Sequence, residues 1–265
     1  MIMNLMKKIY KLDFRYIINL FLIPVFLHIL FFSYTIDSIK YNKNPYPESQ
    51  FVSIHAIVEK TDNCEGYMCL FIDMIPQELG SASGLAFNSV DNKTYVLTVD
   101  HFCDITYSEE ATMAFLGADL HLEVQDMHAN RHKAKVVYAS YSDDLCLIEV
   151  ENFPIRKKIK LADSMPAPGS DIHVVSAPNG HHDPYAAIKF RGIFSGCSNS
   201  SHCLYSIPLD YGSSGSVLLD KNGRIIGMTQ MMAYEFKEVT LGVGVIPIRN
   251  FLLDVENELK INLIP

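Results

Sequence analysis

The sequence predicts an all-β body closed by one C-terminal helix, set behind a separate apolar N-terminal segment. Three observations carry this expectation. Short β-type runs such as Lys135–Tyr138, Ile172–Val175 and Gly223–Ile226 are separated by Gly, Pro, Asn and Asp turns. Long helical periodicity is confined to Pro247–Leu259. Beyond the N-terminal segment about 210 residues remain, which suits one all-β unit of two barrels as well as two small domains. No internal repeat or low-complexity stretch interrupts them.

The N-terminal segment comes first. Tyr16–Tyr34 is an apolar run interrupted only by Asn19, Pro24, His28 and Ser33, long enough to span a hydrocarbon core. Lys7, Lys8, Lys11 and Arg15 precede it, so the positive-inside bias places the N-terminus in the cytoplasm and everything after residue 36 outside. A cleaved signal peptide is the alternative, but Ser33–Asp37 offers no small-x-small cleavage site. The reading is therefore a cytoplasmic tail at 1–15, an uncleaved transmembrane signal anchor at 16–35 and an extended linker at 36–50, the last marked by Asn44-Pro45-Tyr46-Pro47. The body at 51–265 divides into barrels at about 51–155 and 160–250.

The chain carries a net charge of −8, and the tail and linker are basic through Lys7, Lys8, Lys11, Arg15, Lys40 and Lys43. The acidic excess thus lies in the body, which disfavours binding to nucleic acid or an anionic lipid surface by electrostatics. The one basic run, Arg156-Lys157-Lys158-Ile159-Lys160, reads as a solvated linker between barrels.

Three segments of the body carry chemistry. Tyr95–Val99 is an apolar β-type run that leads to Asp100 and His101, placing an imidazole where a strand gives way to a loop. Ser142-Asp143-Asp144 precedes the apolar strand Leu145–Val150, which makes Asp144 the candidate carboxylate and Asp143 its reserve. Leu209–Leu219 sets Ser214 between Gly212 and Gly215 on a turn before a strand. A serine hydroxyl is too weakly acidic to attack a carbonyl alone. It needs a histidine base, a carboxylate behind that base and donors for the developing oxyanion.

Taken together, these segments resemble the trypsin-like serine peptidases, and among them the bacterial HtrA/Deg-type proteases. Ser83-Gly84-Leu85-Ala86-Phe87 is similar to the family's Ser-Gly-Phe opening strand, Leu97-Thr98-Val99-Asp100-His101 to its Leu-Thr-Ala-Ala-His, and Asp144-Leu145-Cys146-Leu147-Ile148 to its Asp-Leu-Ala-Leu-Leu. Gly212-Ser213-Ser214-Gly215-Ser216 resembles Gly-Asn/Asp-Ser-Gly-Gly. Asn222–Met228 and Gly242–Pro247 are similar to two blocks that follow the serine in Deg-type proteases. The resemblance covers about residues 51–257, in the chain order His, Asp, Ser. It ends close to Pro265, an expectation of a protease without the PDZ domain of many relatives.

The resemblance implies two six-stranded antiparallel barrels of chymotrypsin-like type with the site in the crevice between them. It implies His101 as base, Asp144 as orienting carboxylate and Ser214 as nucleophile, with the backbone N–H groups of Gly212 and Ser214 as oxyanion hole. A polypeptide would be the substrate, and no cofactor or metal is implied. The primary pocket would be lined by Ile207 and Pro208, by Met228, Thr229, Gln230 and Met231, and by Gly242-Val243-Gly244. Since no acid stands at the expected pocket base, small to medium apolar side chains are the expected preference. Two departures bear on activity: Ser213 replaces the usual Asn or Asp, and Ser216 replaces a glycine able to adopt left-handed angles cheaply. They keep open a peptidase-fold binding module without turnover, and a protease acting only on its own linker is a third reading.

Six cysteines remain. Cys64/Cys69 and Cys197/Cys203 flank polar loops and suit local disulfides in an oxidising exterior compartment. Cys103 and Cys146, each two residues beyond His101 or Asp144, would face each other beneath the site, either paired or as buried thiols. A zinc site from the outer pairs is the weaker alternative, neither spacing being Cys-x-x-Cys. His181-His182-Asp183 reads as a solvated loop.

Overall fold

The structure is a computed structural model that describes residues 48–62, 64, 72–154, 157–181, 183, 187–199, 202–233 and 236–264. The chain divides into residues 1–45, outside that set, and a unit from 46 to 265. The Tyr16–Tyr34 run therefore lies outside the described residues, and no helix among the described residues is long and apolar enough to cross a membrane.

Twelve strands among the described residues form two closed antiparallel barrels. The first is built from β1 (Phe51–Lys60), β2 (Glu78–Asn88), β3 (Thr94–Thr98), β4 (Ala118–Gln125), β5 (Arg131–Ser140) and β6 (Leu145–Val150), in the order β1-β2-β3-β6-β5-β4. The second is built from β7 (Asp171–Ser176), β8 (Ile188–Asn199), β9 (His202–Ser206), β10 (Val217–Leu219), β11 (Ile225–Ala233) and β12 (Phe236–Gly244), in the order β10-β11-β12-β9-β8-β7. Closure leaves no open sheet edge, so every strand can pair on both sides.

The period-two pattern decides which way each strand faces. In β1, Val52, Ile54, Ala56 and Val58 enter the core of the first barrel. That core continues through Val217, Leu219 and Ile225 of the second barrel onto the C-terminal helix, α2 (Val245–Leu259). Phe251, Leu252 and Val255 of α2 pack into it, so the closing helix belongs to the same apolar body as the barrels. The second barrel has a core of its own, with Ile172, Phe194, Tyr205, Ile207 and Leu218 at its centre. There burial pushes the Tyr205 phenol up, and its hydroxyl donates to Val243 O at 3.0 Å.

Two hairpins are closed by aspartates whose side chains do the turning. Asp126 accepts the main-chain N–H groups of His128 and Asn130 at 2.8 and 2.9 Å, joining β4 to β5. Asp220 does the same for Asn222 and Arg224 at 2.8 and 2.9 Å, joining β10 to β11. Gln50, expected in the linker, is buried and donates its side-chain amide to Ala86 O at 3.0 Å.

One element was not expected. A helix, α1 (Asp100–Leu116), follows β3 after a single residue and ends at Gly117, whose φ of 80° allows a left-handed cap. His101 is therefore the second residue of a helix and not part of a loop. Phe102, Cys103 and Met113 are buried in the core, but Thr106, Ser108 and a polar middle blur the apolar stripe that would announce the helix.

Candidate active site

His101 and Asp144 meet because β3 delivers the first turn of α1 beside the start of β6, its neighbour in the barrel. The imidazole Nδ1 lies 2.9 Å from Asp144 Oδ2 and 3.0 Å from Oδ1. The main-chain N–H of His101 also donates to Oδ1 at 2.8 Å. An ionised carboxylate only accepts, so this contact places the ring proton on Nδ1 and leaves a lone pair on Nε2. Asp144 adopts a φ of 52°, in the left-handed region that Asp tolerates better than most residues. Asp143, the reserve carboxylate, faces elsewhere and accepts from Ser140 Oγ at 3.3 Å.

A disulfide fixes the same junction. Cys103 and Cys146 are bonded and both wholly buried, which ties the first turn of α1 to β6 two residues beyond His101 and Asp144. The second disulfide, Cys197–Cys203, closes the β8–β9 hairpin. Cys64 is also disulfide-bonded, whereas Cys69 lies outside the described residues. Asp183 is described and His182 is not. Among the described residues no group of three or more His, Cys, Asp and Glu side chains could hold a metal ion.

Ser214 enters from the second barrel on the turn before β10. His101, Asp144 and Ser214 line one cleft of about 760 Å³, together with Asp100, Asp104, Tyr141, Asp210, Tyr211, Gln230, Met231 and Met232. The serine hydroxyl donates to Gln230 O at 2.9 Å. The Gln230 side chain reaches the opposite wall and donates to Asp143 O at 2.6 Å. One residue of β11 thus touches both the serine and the chain at the carboxylate.

The turn itself has the conformation that glycine permits. Gly212 and Gly215 have φ of 81° and 86°, whereas Ser213 and Ser216 are not among the residues at positive φ. The two serine departures therefore do not strain the backbone. A Cβ on Gly215 would sit 2.1 Å from Ser83 O, which closes that position to any other residue without a shift. Among the described residues, the N–H groups of Gly212 and Ser214 donate no hydrogen bond, whereas those of Ser213 and Gly215 donate to Asp210 O and Thr229 O.

The expected pocket lining needs correction. Gln230 and Met231 do line the cleft, but Ile207 and Met228 are wholly buried in the two cores. Thr229 is buried too, its hydroxyl turned onto Ser213 O at 2.8 Å, and Pro208 is exposed away from the cleft lining. The pairing of β11 with β12 shifts register between Thr229 and Met231, and this break in strict alternation lets the adjacent Gln230 and Met231 both reach the cleft while Met228 and Thr229 stay buried. The four aspartates of the lining were not foreseen as a group. Burial, and then the neighbouring Asp144 and Asp104 carboxylates, push the Asp100 carboxyl up against the pull of His101. Tyr211, 72% exposed, lies within the Leu209–Leu219 segment, and Tyr141, 93% exposed, directly precedes Ser142-Asp143-Asp144, so proximity to the candidate residues was the available signal.

A crevice between two six-stranded barrels, with an imidazole, a carboxylate and a serine turn on its walls, defines the chymotrypsin-like class of fold. The trypsin-like peptidase domain family matches residues 82–228, and the chain belongs to that family of serine endopeptidases. Solved structures share the architecture at low identity. The serine endoprotease from Yersinia pestis superposes with a TM-score of 0.58 at 12% identity, over 80% of this chain and 64% of that one. The Rv3671c protease from Mycobacterium tuberculosis in its active form gives 0.53 at 17%, over 78% and 80%. An inactive-form serine-to-alanine mutant of the same protein gives 0.54 at 15%, over 80% and 88%. No curated protein sequence matches the chain.

Proposed function

We propose that this protein is a membrane-anchored serine endopeptidase that cuts polypeptides through Ser214, His101 and Asp144. The observation that carries the reading is the His101 Nδ1 to Asp144 contact at 2.9 Å on the wall of the cleft that also holds Ser214. In the reaction, His101 Nε2 takes the hydroxyl proton as Ser214 Oγ bonds to the scissile carbonyl carbon. Asp144 keeps the ring in the required tautomer and stabilises the imidazolium. The carbonyl oxygen becomes an oxyanion between the N–H groups of Gly212 and Ser214. Collapse breaks the C–N bond as His101 returns the proton to the leaving amine, and water then hydrolyses the acyl-enzyme by the same steps.

The Ser214 hydroxyl donates to Gln230 O, so attack requires it to turn toward His101. This observation favours the second reading, a binding module without turnover. A fluorophosphonate probe separates the two, because only a serine activated by its base reacts. Covalent labelling of the wild type and none of Ser214→Ala is the expected result. No labelling of either, under folded conditions, removes the enzymatic mechanism.

The membrane arrangement rests on the sequence. A tail at 1–15, an anchor at 16–35 and a linker at 36–50 would hold the 51–265 domain at the bilayer on the extracytoplasmic side, periplasmic or extracellular, where disulfides persist. Resistance to extraction by alkaline carbonate is expected of the full chain. An intact N-terminus on the membrane-bound form would distinguish an anchor from a cleaved signal peptide.

A further inference from the structure

The nucleophile turn can be accounted for group by group. Four consecutive carbonyls, those of Tyr211, Gly212, Ser213 and Ser214, are each held by a donor from outside or across the turn. Tyr211 O accepts from Asn179 N, Gly212 O from Ser83 Oγ at 2.8 Å, Ser213 O from Thr229 Oγ1 at 2.8 Å and Ser214 O from Ser83 N at 2.8 Å. In a trans peptide the N–H points opposite to the C=O. Fixing the Tyr211 and Ser213 carbonyls therefore aims the N–H groups of Gly212 and Ser214 the other way, and these are the two that donate to nothing within the turn.

We infer that the Thr229 hydroxyl is a positioning group of the oxyanion hole: by holding Ser213 O it aims the Ser214 N–H, as the main-chain N–H of Asn179 aims that of Gly212 through Tyr211 O. This rests on the reading of Gly212 and Ser214 as oxyanion donors. Ser83 belongs to β2 of the first barrel and Thr229 to β11 of the second, and both are buried. Ser83 Oγ also accepts from Ala177 N at 3.1 Å, and its carbonyl accepts Thr98 Oγ1 at 2.8 Å, so its own rotamer is tied on two further sides. Thr229 is anchored as firmly: its N–H donates to Ser216 O at 2.9 Å and its carbonyl accepts Gly215 N at 2.8 Å. The need for such restraint follows from glycine. Gly212 must occupy a positive φ, and the residue that does so without strain is also the one whose flanking peptides rotate most freely. The Asn179 N–H holds the peptide before Gly212, the Ser83 hydroxyl the one after it, and the Thr229 hydroxyl the next, which carries the Ser214 N–H.

The test compares Thr229→Val, which keeps shape and removes the donor, with Thr229→Ser, which keeps the donor, and with Ser83→Ala. Each is measured for kcat and KM on a peptide ester or amide and for affinity to a peptide aldehyde, whose hemiacetal oxygen occupies the oxyanion position. Expected is a loss in kcat of about tenfold or more for Thr229→Val with KM within about twofold, an equal loss in aldehyde affinity, recovery of most of it by Thr229→Ser, and a smaller loss for Ser83→Ala, whose hydroxyl holds the peptide that carries the Ser213 N–H. A Thr229→Val variant that melts earlier yet keeps the wild-type kcat and aldehyde affinity overturns the inference, since that is what support of the fold alone would give. A wild type that neither turns over nor takes the fluorophosphonate label points instead to failure of the proposed function. In that event the amide resonance of Ser214 still decides: it moves in Thr229→Val if the hydroxyl sets its orientation, and stays in place if it does not.

Discussion

In the first barrel, His101 and Asp144 are fixed by side chains and a covalent link. Two contacts join imidazole and carboxylate, a third joins the His101 N–H to the same carboxylate, and the Cys103–Cys146 disulfide lies directly behind. In the second barrel, Ser214 sits on a turn between two glycines at positive φ, held by main-chain contacts and by the hydroxyls of Ser83 and Thr229. The difference teaches where each half can fail. The half that carries His101 and Asp144 should tolerate changes nearby as long as the pair survives, whereas the half that carries Ser214 depends on backbone angles that a single methyl group would disturb.

The largest effects should come from breaking the chemistry on either side. Ser214→Ala and His101→Ala are each expected to lower kcat/KM by about 10⁴ or more, and the double variant by little beyond that, because the groups act as a unit. Single-turnover kinetics on one ester substrate would check this; losses that multiply in the double variant would mean that the barrels contribute independently. Gly215→Ala comes next. Its Cβ would press on Ser83 O at 2.1 Å and Thr98 Oγ1 at 2.4 Å, at a φ of 86°. The displacement of the turn should reduce the fluorophosphonate labelling rate by about 100-fold, the scale on which small misplacements act. Labelling at the wild-type rate would show the second barrel to be as tolerant as the first.

The first barrel should answer differently to loss of its staple. Replacing both Cys103 and Cys146 by alanine is expected to cost about 2–4 kcal/mol of stability while labelling of Ser214 persists below the new melting temperature. The His101 to Asp144 contacts do not pass through the sulfurs. Melting curves and labelling on the same samples separate the two effects, and loss of labelling in a still-folded variant would make the disulfide part of the site's geometry.

How far the sequence revealed these features follows the same division. His101, Asp144 and Ser214 stood out in the sequence because each lies close to the end of an apolar strand, although the polar segment that follows β3 is a helix where a loop was expected. The helix α1 was not legible. Its buried residues Phe102, Cys103 and Met113 are too sparse to mark a face, and tertiary packing holds it where periodicity is weak. The pocket lining was read too widely because a run such as Met228–Met231 gives no sign of which members turn inward until the strand's register is fixed. Ser83 was visible as part of a motif, but its contact with Gly212 spans 129 positions, and no local pattern announces it.

The smallest expected effect concerns the two aspartate-closed hairpins, one in each barrel. Burial pushes the Asp126 carboxyl up, but hydrogen bonds from Asn130, from the His128 main chain and from His132 outweigh it, so the group lies below the usual carboxylate range. Asp220 is also lowered against burial, by the main chain and guanidinium of Arg224 and by Asn222. A folded-state value below the unfolded one means that stability is fully present above the unfolded value near 3.9 and is lost as pH falls through the folded one. Asp126→Asn and Asp220→Asn keep an acceptor for the turn but not the charge. Each should cost on the order of 1 kcal/mol at neutral pH and approach the wild type in strong acid. The barrels should then part company in salt. The Arg224 Nη2 lies 2.9 Å from Asp220 on a half-exposed side chain, whereas the ionisable neighbour of Asp126, His132 Nε2 at 3.4 Å, is largely buried and screened less, so the Asp220→Asn difference should shrink more at 1 M salt than the Asp126→Asn difference. Thermal unfolding from pH 2 to 7 at two ionic strengths gives the answer, and equal salt sensitivity would place the Asp220 contribution in its main-chain hydrogen bonds, as for Asp126.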